Sequence, residues 1–252
     1  VHMAYRKDSD LEFLAKCSDR DLDDLVNLLI YDNDGKKRWT EELSNNRQYK
    51  EFAPRHSVYW REIAAEIQCY GGNTIATLLR GGKGVCYREI LIDVCNKLKV
   101  NFNAKSRIEV IEQNLLLKIL SDSLDNMSSE DIKVFAMELG LDEVTRFTPE
   151  AVLSAFQYIF RAGGFRSYQV TLKFANLLLK ILIGRGLTLA GNQILVKALS
   201  ILTGPIGWAI TAAWTIVDVG GTAYRVTIPA VIQVAVLRAK VNNNIKDSDI
   251  TL

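Results

Sequence analysis

A glycine-rich turn with two cations, RGGKG from Arg80 to Gly84, is the part of the sequence best suited to bind an anion. Its backbone amides and the side chains of Arg80 and Lys83 precede a predicted helix, and the start of a helix attracts negative charge. The spacing is not the GxxxxGK[ST] of nucleotide hydrolases, and no predicted strand precedes it. Two interpretations stay open, a contact for an anion or a partner and a simple turn between two helices.

Arg225 is the second cation whose surroundings suggest a function, because apolar residues flank it. One interpretation is a buried pair with Asp218, the only carboxylate between residues 151 and 246, and the sequence favours this pair. The other is an exposed guanidinium that meets an anionic headgroup or a carboxylate of a partner. The β-branched residues before Pro229 predict an extended segment, followed by a helix from Ala230 to Lys240.

Patterns typical of catalysis and calcium binding are incomplete. His56 has no serine or cysteine partner marked by sequence, so we predict no catalytic role for it. Asp32, Asp34 and Glu41 match part of a calcium loop, but Ile30 stands at the first ligand position and three cations lie inside the loop. We therefore predict a solvated turn there, and no catalytic residues.

The cysteines do not form a metal site. None belongs to a CxxC pair, and no histidine lies at a ligand spacing from any of them. The sequence predicts reduced, mostly buried thiols and neither a metal nor a cofactor. The four residues are Cys17, Cys69, Cys86 and Cys95.

Charge divides the chain into an acidic front and a basic rear. Residues 1–150 carry 21 Lys and Arg against 26 Asp and Glu, a net −5. Residues 161–252 carry 10 Lys and Arg against 3 Asp, a net +7, and contain nine of the 16 glycines. Sparse positive charge among apolar residues suits an anionic surface. Nothing in the pattern indicates a nucleic-acid partner.

The sequence predicts that the elements that position these residues are helices. No run of alternating strand residues occurs in 1–160, so the predicted class is all-α, with an acidic N-terminal helical region before a Gly-rich, apolar, basic C-terminal one. Gly140 is placed to end a helix. Helix starts are indicated by capping signals at Ser18 and Asp21, Ser106 and Glu109, Ser128 and Asp131, and Thr148 before Pro149.

A run of twenty uncharged residues, 198–217, is long enough to cross a bilayer as one helix. Glycines and a proline near residue 205 would break such a helix, so we predict a short helical hairpin. Its side chains either pack in a core or meet a membrane or a partner. The residues expected to do so are Ile206, Trp208 and Trp214.

Several stretches resemble the YaaW family of bacterial proteins, namely Trp60–Ala76, Tyr87–Val94 and Ala223–Val234. The opening Asp8–Ser18 is similar to the small N-terminal module of that family, so the resemblance covers nearly the whole chain. The middle region is similar, more distantly, to the ubiquinol–cytochrome c chaperone family, helical proteins that assist assembly of a membrane respiratory complex. The resemblance implies helices and a protein-binding role, and it brings no catalytic residues.

We predict a small N-terminal helical module over 4–50, a helical domain over 51–160, an apolar and basic helical region over 161–241, and a polar tail over 242–252. The leading function is a non-enzymatic, chaperone-like interaction protein, cytoplasmic or peripheral to the inner membrane. It would bind a protein partner, an anionic membrane surface or both, and an oligomer stays open. One alternative is a membrane-inserting effector that uses the 198–217 hairpin. Another is an enzyme acting on phosphate-bearing substrates at Arg80 and Lys83.

Overall fold

A computed structural model describes residues 4–72, 83–190, 197–204 and 223–250. Over these ranges the chain is helical, apart from an isolated bridge between Tyr31 and Lys37, and the predicted all-α class is confirmed. The α-helices are α1 (Asp19–Ile30), α2 (Arg47–Phe52), α3 (Trp60–Gly71), α4 (Tyr87–Lys97), α5 (Ile108–Leu124), α6 (Ser129–Leu139), α7 (Pro149–Ala162), α8 (Gly164–Ile183), α9 (197–204) and α10 (Tyr224–Asn242). Short 3-10 helices cover Glu12–Lys16, Leu43–Asn45, His56–Tyr59, Thr188–Ala190 and Asp247–Asp249.

Local capping signals set three helix starts as the sequence predicts. Ser18 and Ser128 each accept the N–H of an aspartate three residues later, whose carboxylate accepts the N–H of the serine in return. Thr148 accepts the N–H of Ala151 before Pro149 opens α7. Gly140 ends α6 with a φ of 75°, in the left-handed region that glycine adopts without strain.

The start of α5 corrects one prediction. This helix begins at Ile108 after Arg107, and no side chain caps it, so the capping box expected at Ser106 and Glu109 does not form. The guanidinium of Arg88, on α4, instead donates to the carbonyls of Ala104 and Ser106, at 3.0 and 2.8 Å. A tertiary contact therefore holds the loop where the sequence suggests a local one.

The helix α10 is the central element of the described fold. It packs against α8, α1, α5, α3 and α4, and against the 3-10 helix Glu12–Lys16. Its residues are buried almost all round, as expected for a helix that is apolar on every side. It also corrects the predicted extended segment before Pro229, because the helix begins at Tyr224 and includes the proline. Pro229 is the sixth residue of the helix, so its missing N–H removes one backbone hydrogen bond in the second turn.

The core is one continuous cluster of buried apolar side chains drawn from all the predicted helical regions, and the predicted domain boundaries stay predictions. Two internal segments of the chain, before α4 and at α9, make specific contacts with the helices around them. Glu138 of α6 accepts the N–H of Ala198 at 2.7 Å and so caps α9. A Cβ on Gly84 would lie 2.0 Å from the carbonyl oxygen of Gln68, so only glycine fits this close approach. None of the described helices has the length and hydropathy needed to span a bilayer.

Candidate functional site

A buried ion pair lies between α10 and α5. The Nε of Arg238 donates to both carboxylate oxygens of Glu112, at 3.1 and 3.0 Å, and the Tyr87 hydroxyl donates to the same carboxylate at 2.8 Å. All three residues are at most 5% exposed. Burial raises the pKa of the Glu112 carboxyl, while the positive charge of Arg238 and the Tyr87 hydroxyl oppose that rise. The network is thus an internally satisfied polar cluster inside an apolar core.

Arg238 also anchors the N-terminal segment to the last helix. Its Nη2 donates to the carbonyl of Asp10 at 2.7 Å. Its guanidinium carbon lies 4.3 Å from the centroid of the Phe13 ring and 5.5 Å from that of Tyr87. A desolvated guanidinium over an aromatic face gains a cation–π attraction in addition to its ion pair. One side chain therefore joins three parts of the chain that are far apart in sequence.

Sequence reasoning missed this pair although both members carry a signal. Glu112 lies four residues after Ile108 and four before Leu116, on the apolar face of α5. Arg238 follows eight residues without a charge, Ala230–Leu237. A single charge on the buried face of an apolar helix requires a partner, because an unpaired buried charge is costly. The identity of the partner, however, depends on packing between distant helices.

A second buried pair lies two residues further along α10. Lys240 is 4% exposed, and its ammonium donates to the carboxylates of Asp21 on α1 and Asp247 beyond the helix end. Burial alone would lower the pKa of Lys240, but the two carboxylates outweigh it and the pKa is raised. Asp21 serves twice, because it also accepts the N–H of Ser18 at 2.9 Å in the cap of α1.

Asp8 joins the N-terminal segment to α4. Its buried carboxylate accepts the N–H of Tyr87, the first residue of α4, at 2.6 Å and the side-chain amide of Gln68 at 3.2 Å. Gln68 in turn exchanges two hydrogen bonds with the backbone of Arg6, at 3.0 and 2.8 Å. Asp8 thus caps a distant helix, while the chain that follows Asp8 forms the 3-10 helix Glu12–Lys16.

Glu66 is a buried carboxyl without a cation. It is 2% exposed, accepts the N–H of Glu42 at 3.2 Å, and forms no ion pair within the ranges described. Burial raises the pKa of Glu66 to about 8, and the carboxylates of Glu41 and Glu42 add to the rise. Glu41 itself accepts the N–H and hydroxyl of Ser44 at the start of a 3-10 helix. The Glu66 carboxyl is therefore largely protonated at neutral pH.

Both ring nitrogens of His56 contact side chains of the fold, and the imidazole is not placed to act as a catalytic base. Its Nδ1 contacts the Tyr59 hydroxyl at 2.5 Å, and its Nε2 contacts the Asp23 carboxylate at 3.1 Å. Tyr59 is 1% exposed, and burial raises its pKa, so the phenol stays protonated and inaccessible. The array joins α1 to the turn before α3, and its geometry is that of a structural contact.

The cysteine thiols are free, two of them buried and two half-buried. Burial raises the pKa of Cys17, Cys69 and Cys95 to about 12, and it also raises that of Cys86. A protonated thiol is a weak nucleophile and a poor metal ligand. In the described parts of the chain, no three His, Cys, Asp or Glu side chains are grouped so that they could hold a metal.

The structure brings two of the predicted anion contacts to one place. Lys83 and Arg225 are both exposed. Next to Lys83 in sequence, the N–H of Val85 donates to the carbonyl of Gln68. Next to Arg225, the N–H of Ala223 donates to the carbonyl of Tyr70. Both segments therefore join the last turn of α3. The ammonium of Lys97, at the end of α4, lies 4.9 Å from the centroid of the Tyr224 ring. We call Lys83, Lys97 and Arg225 the cationic end of the molecule.

Arg225 is exposed, so its guanidinium is not buried as the favoured interpretation required, whereas its pairing with Asp218 stays a prediction. The expected partner, Asp218, lies outside the described residues. So do Arg80 and most of the predicted hairpin, of which only 198–204 is described, as part of α9. The hairpin side chains named above, Ile206, Trp208 and Trp214, lie outside as well.

A few large apolar side chains of the described chain point into solvent. Trp39, in the loop after α1, is 99% exposed. Tyr158 on α7 and Met137 on α6 are more than half exposed. Single exposed apolar side chains are common on monomeric proteins, but aromatic residues are also enriched where proteins bind each other.

Comparison with known proteins places the chain among described families. The ubiquinol-cytochrome C chaperone family matches residues 55–232, and a domain of unknown function, DUF3944, matches residues 5–39. A UPF0174 protein of Helicobacter pylori strain J99 is 48% identical over 94% of this chain and 94% of its own length. The UPF0174 protein YaaW of Escherichia coli K12 is 32% identical over 96% of this chain and 98% of its own length. No solved structure matches the chain.

The match over residues 55–232 covers more than half of the chain, so the protein belongs to the ubiquinol-cytochrome C chaperone family. Within that class it is a member of the UPF0174 family, which includes YaaW. The resemblance found in the sequence is thereby confirmed.

Proposed function

We propose that the protein is a non-enzymatic, chaperone-like protein that binds another protein at or near the cytoplasmic face of a membrane. The observation that carries the proposal is the match to the ubiquinol-cytochrome C chaperone family over residues 55–232. The name of that family describes proteins that assist another protein, and no catalytic residues accompany the match.

The state of the polar side chains supports a binding role. The buried Glu112, Arg238 and Lys240 are each paired with groups of the same chain, as is His56. Such pairs fix the relative positions of helices, and none presents a nucleophile beside an accessible base. These contacts therefore stabilise the interior of the fold. The function that they support is recognition at the protein surface.

Trp39 is the surface residue that we propose contacts the protein partner. Its indole is almost fully exposed, and tryptophan dominates the binding energy of many interfaces. Replacement of Trp39 by a photo-reactive phenylalanine should give a discrete crosslinked product in cells that express the full chain. The matched control carries the same group at Lys50, an exposed polar position on α2. The same products from both positions, or none from position 39, would contradict a partner site at Trp39.

The more specific part of the proposal is membrane association, which depends on the cationic end. Positive side chains near an anionic bilayer each contribute about 1 kcal/mol of binding free energy. The protein should float with vesicles of phosphatidylcholine and phosphatidylserine more than with phosphatidylcholine alone, and less as salt increases. The double variant Lys83→Glu with Arg225→Glu removes two of these cations. Its vesicle affinity should fall about 30-fold or more.

The double variant Arg47→Glu with Lys50→Glu is the control, because it makes the same change of charge on the exposed surface of α2. If it weakens vesicle binding as much, net charge and not the cationic end is responsible. Equal binding to neutral and anionic vesicles at low salt would remove the membrane part and leave the protein-binding part standing.

A further inference from the structure

A cleft of about 280 Å³ opens between the start of α5, the end of α7, α8 and the end of α10. Small residues create the space, with Ala235 and Ala239 on α10 and Gly163 between α7 and α8. Leu116 and Phe160 form an apolar part of the wall. The volume lies just below the range typical of small-molecule sites, so a ligand would have to be small.

The charged groups that line the cleft do not balance. Glu112 is neutralised by Arg238, and Glu109 pairs with Arg107 at 3.3 Å. Arg161 is exposed at the cleft and has no ion pair in the part of the chain that the structure describes. One positive charge is therefore left over. A ligand with a single negative charge would compensate it.

Hydrogen-bond donors without partners complete the lining. Ser167 is 5% exposed and lines the cleft, and its hydroxyl makes no hydrogen bond to any described residue. The side-chain amides of Gln113 and Asn242 line the same cleft and also have no hydrogen-bond partner among the described residues. Asn243 is held in place, because it accepts the N–H of Gly164 and donates to the carbonyl of Ala239, both at 2.7 Å. The Ser167 hydroxyl is therefore available to a ligand in the cleft.

We propose that this cleft binds a small molecule that carries one oxyanion group, a carboxylate or a phosphodiester. The oxyanion accepts hydrogen bonds from Arg161 and the Ser167 hydroxyl, and the apolar body of the ligand packs against Leu116 and Phe160. Arginine is suited to this role because its planar donors match the geometry of an oxyanion. The site is independent of the proposed protein-binding and membrane surfaces.

The probes are two monoanions and their neutral analogues, benzoate with benzamide and diethyl phosphate with triethyl phosphate. Each is titrated into the isotope-labelled full chain while the backbone amide resonances are followed. The anions should shift the resonances of residues around Gly163, Ser167 and Asn243 in a saturable way, and the neutral analogues should not. A preference for benzoate or for diethyl phosphate distinguishes a carboxylate ligand from a phosphodiester. Equal shifts from anions and neutral analogues would overturn the proposal.

Variants separate the cleft from general charge effects. Arg161→Gln should weaken binding of the anions about tenfold or more, as expected when a charged hydrogen-bond partner is lost. Ala239→Leu keeps every charge and fills the cleft, so it should abolish saturable binding. The control Arg47→Gln removes a cation on α2 that is also exposed, and it should bind like the wild type. Unchanged binding in Arg161→Gln and Ala239→Leu, at wild-type thermal stability, would contradict the site.

Discussion

The two ends of α10 each carry an arginine between apolar neighbours, and the structure treats them differently. Arg225, in the first turn, is exposed, whereas Arg238, near the end, is buried against Glu112. At 100° per residue, the two positions are about 220° apart around the helix axis. The comparison shows that apolar neighbours in sequence do not determine whether a charged side chain is buried. Its burial depends on the helix face that it occupies and on the groups packed against that face.

The largest expected effect is the loss of the buried arginine. Arg238→Ala leaves the Glu112 carboxylate buried without its cation and should lower the free energy of unfolding by about 3–5 kcal/mol. Arg225→Ala, at the exposed end of the same helix, should lower it by less than about 1 kcal/mol. Urea unfolding of both variants measures the difference. Similar losses for the two arginines would show that the contrast between the helix ends is wrong.

The two carboxylates on Lys240 give a smaller contrast of the same kind. Asp21 is buried and belongs to the capping box of α1, while the side chain of Asp247 is 40% exposed. Asp21→Asn should cost about 2–3 kcal/mol, because it weakens a buried charged hydrogen bond and the cap. Asp247→Asn should cost less than about 1 kcal/mol, since water can solvate the exposed partner. Thermal and urea unfolding would reveal a reversed order, which would place the main contact of Lys240 at Asp247.

Glu66 extends the comparison to a buried carboxyl that has no cation beside it within the described residues. Its pKa is about 8 in the folded state against an ordinary value of 4.5, so the folded state binds the proton more tightly. This contribution to stability is complete below pH 4.5 and is lost as the pH rises through about 8. Between these values the slope is at most about 1.4 kcal/mol per pH unit.

Glu66→Gln should therefore flatten the pH dependence of unfolding between pH 5 and 8, relative to the wild type. Glu42→Gln is a useful companion, because it removes a neighbouring exposed carboxylate and should lower the pKa of Glu66 only in part. Parallel pH profiles for the wild type and Glu66→Gln would show that the Glu66 carboxyl does not titrate in this range.

Features that depend on neighbouring residues were predictable from sequence. The caps at Ser18, Ser128 and Thr148 and the helix end at Gly140 form as expected, because each involves groups within a few residues. The box at Ser106 fails because Arg88, on another helix, binds the same loop. Local signals are thus reliable until a distant side chain competes for the same backbone groups.

The polar contacts that tie distant helices were not predictable in the same way. The sequence singled out Arg225 and not Arg238, although both are isolated charges in apolar surroundings. Only the packing of α10 on α5 reveals that Glu112 lies opposite Arg238. The cleft also escaped notice, since its lining comes from four helices, and no short motif records that arrangement.

The central position of α10 has a consequence for synthesis of the chain on the ribosome. The helices α1, α5 and α8 emerge first, but the surface they bury against α10 has no cover until residues 224–242 have been translated. Until then their apolar faces are accessible to other nascent or misfolded chains, and closure depends on contacts between residues far apart in sequence, such as Asp10 and Arg238. A nascent chain stalled before Tyr224 should therefore remain sensitive to protease and bound by ribosome-associated chaperones. Release of the full chain should make it resistant to protease in a single late step.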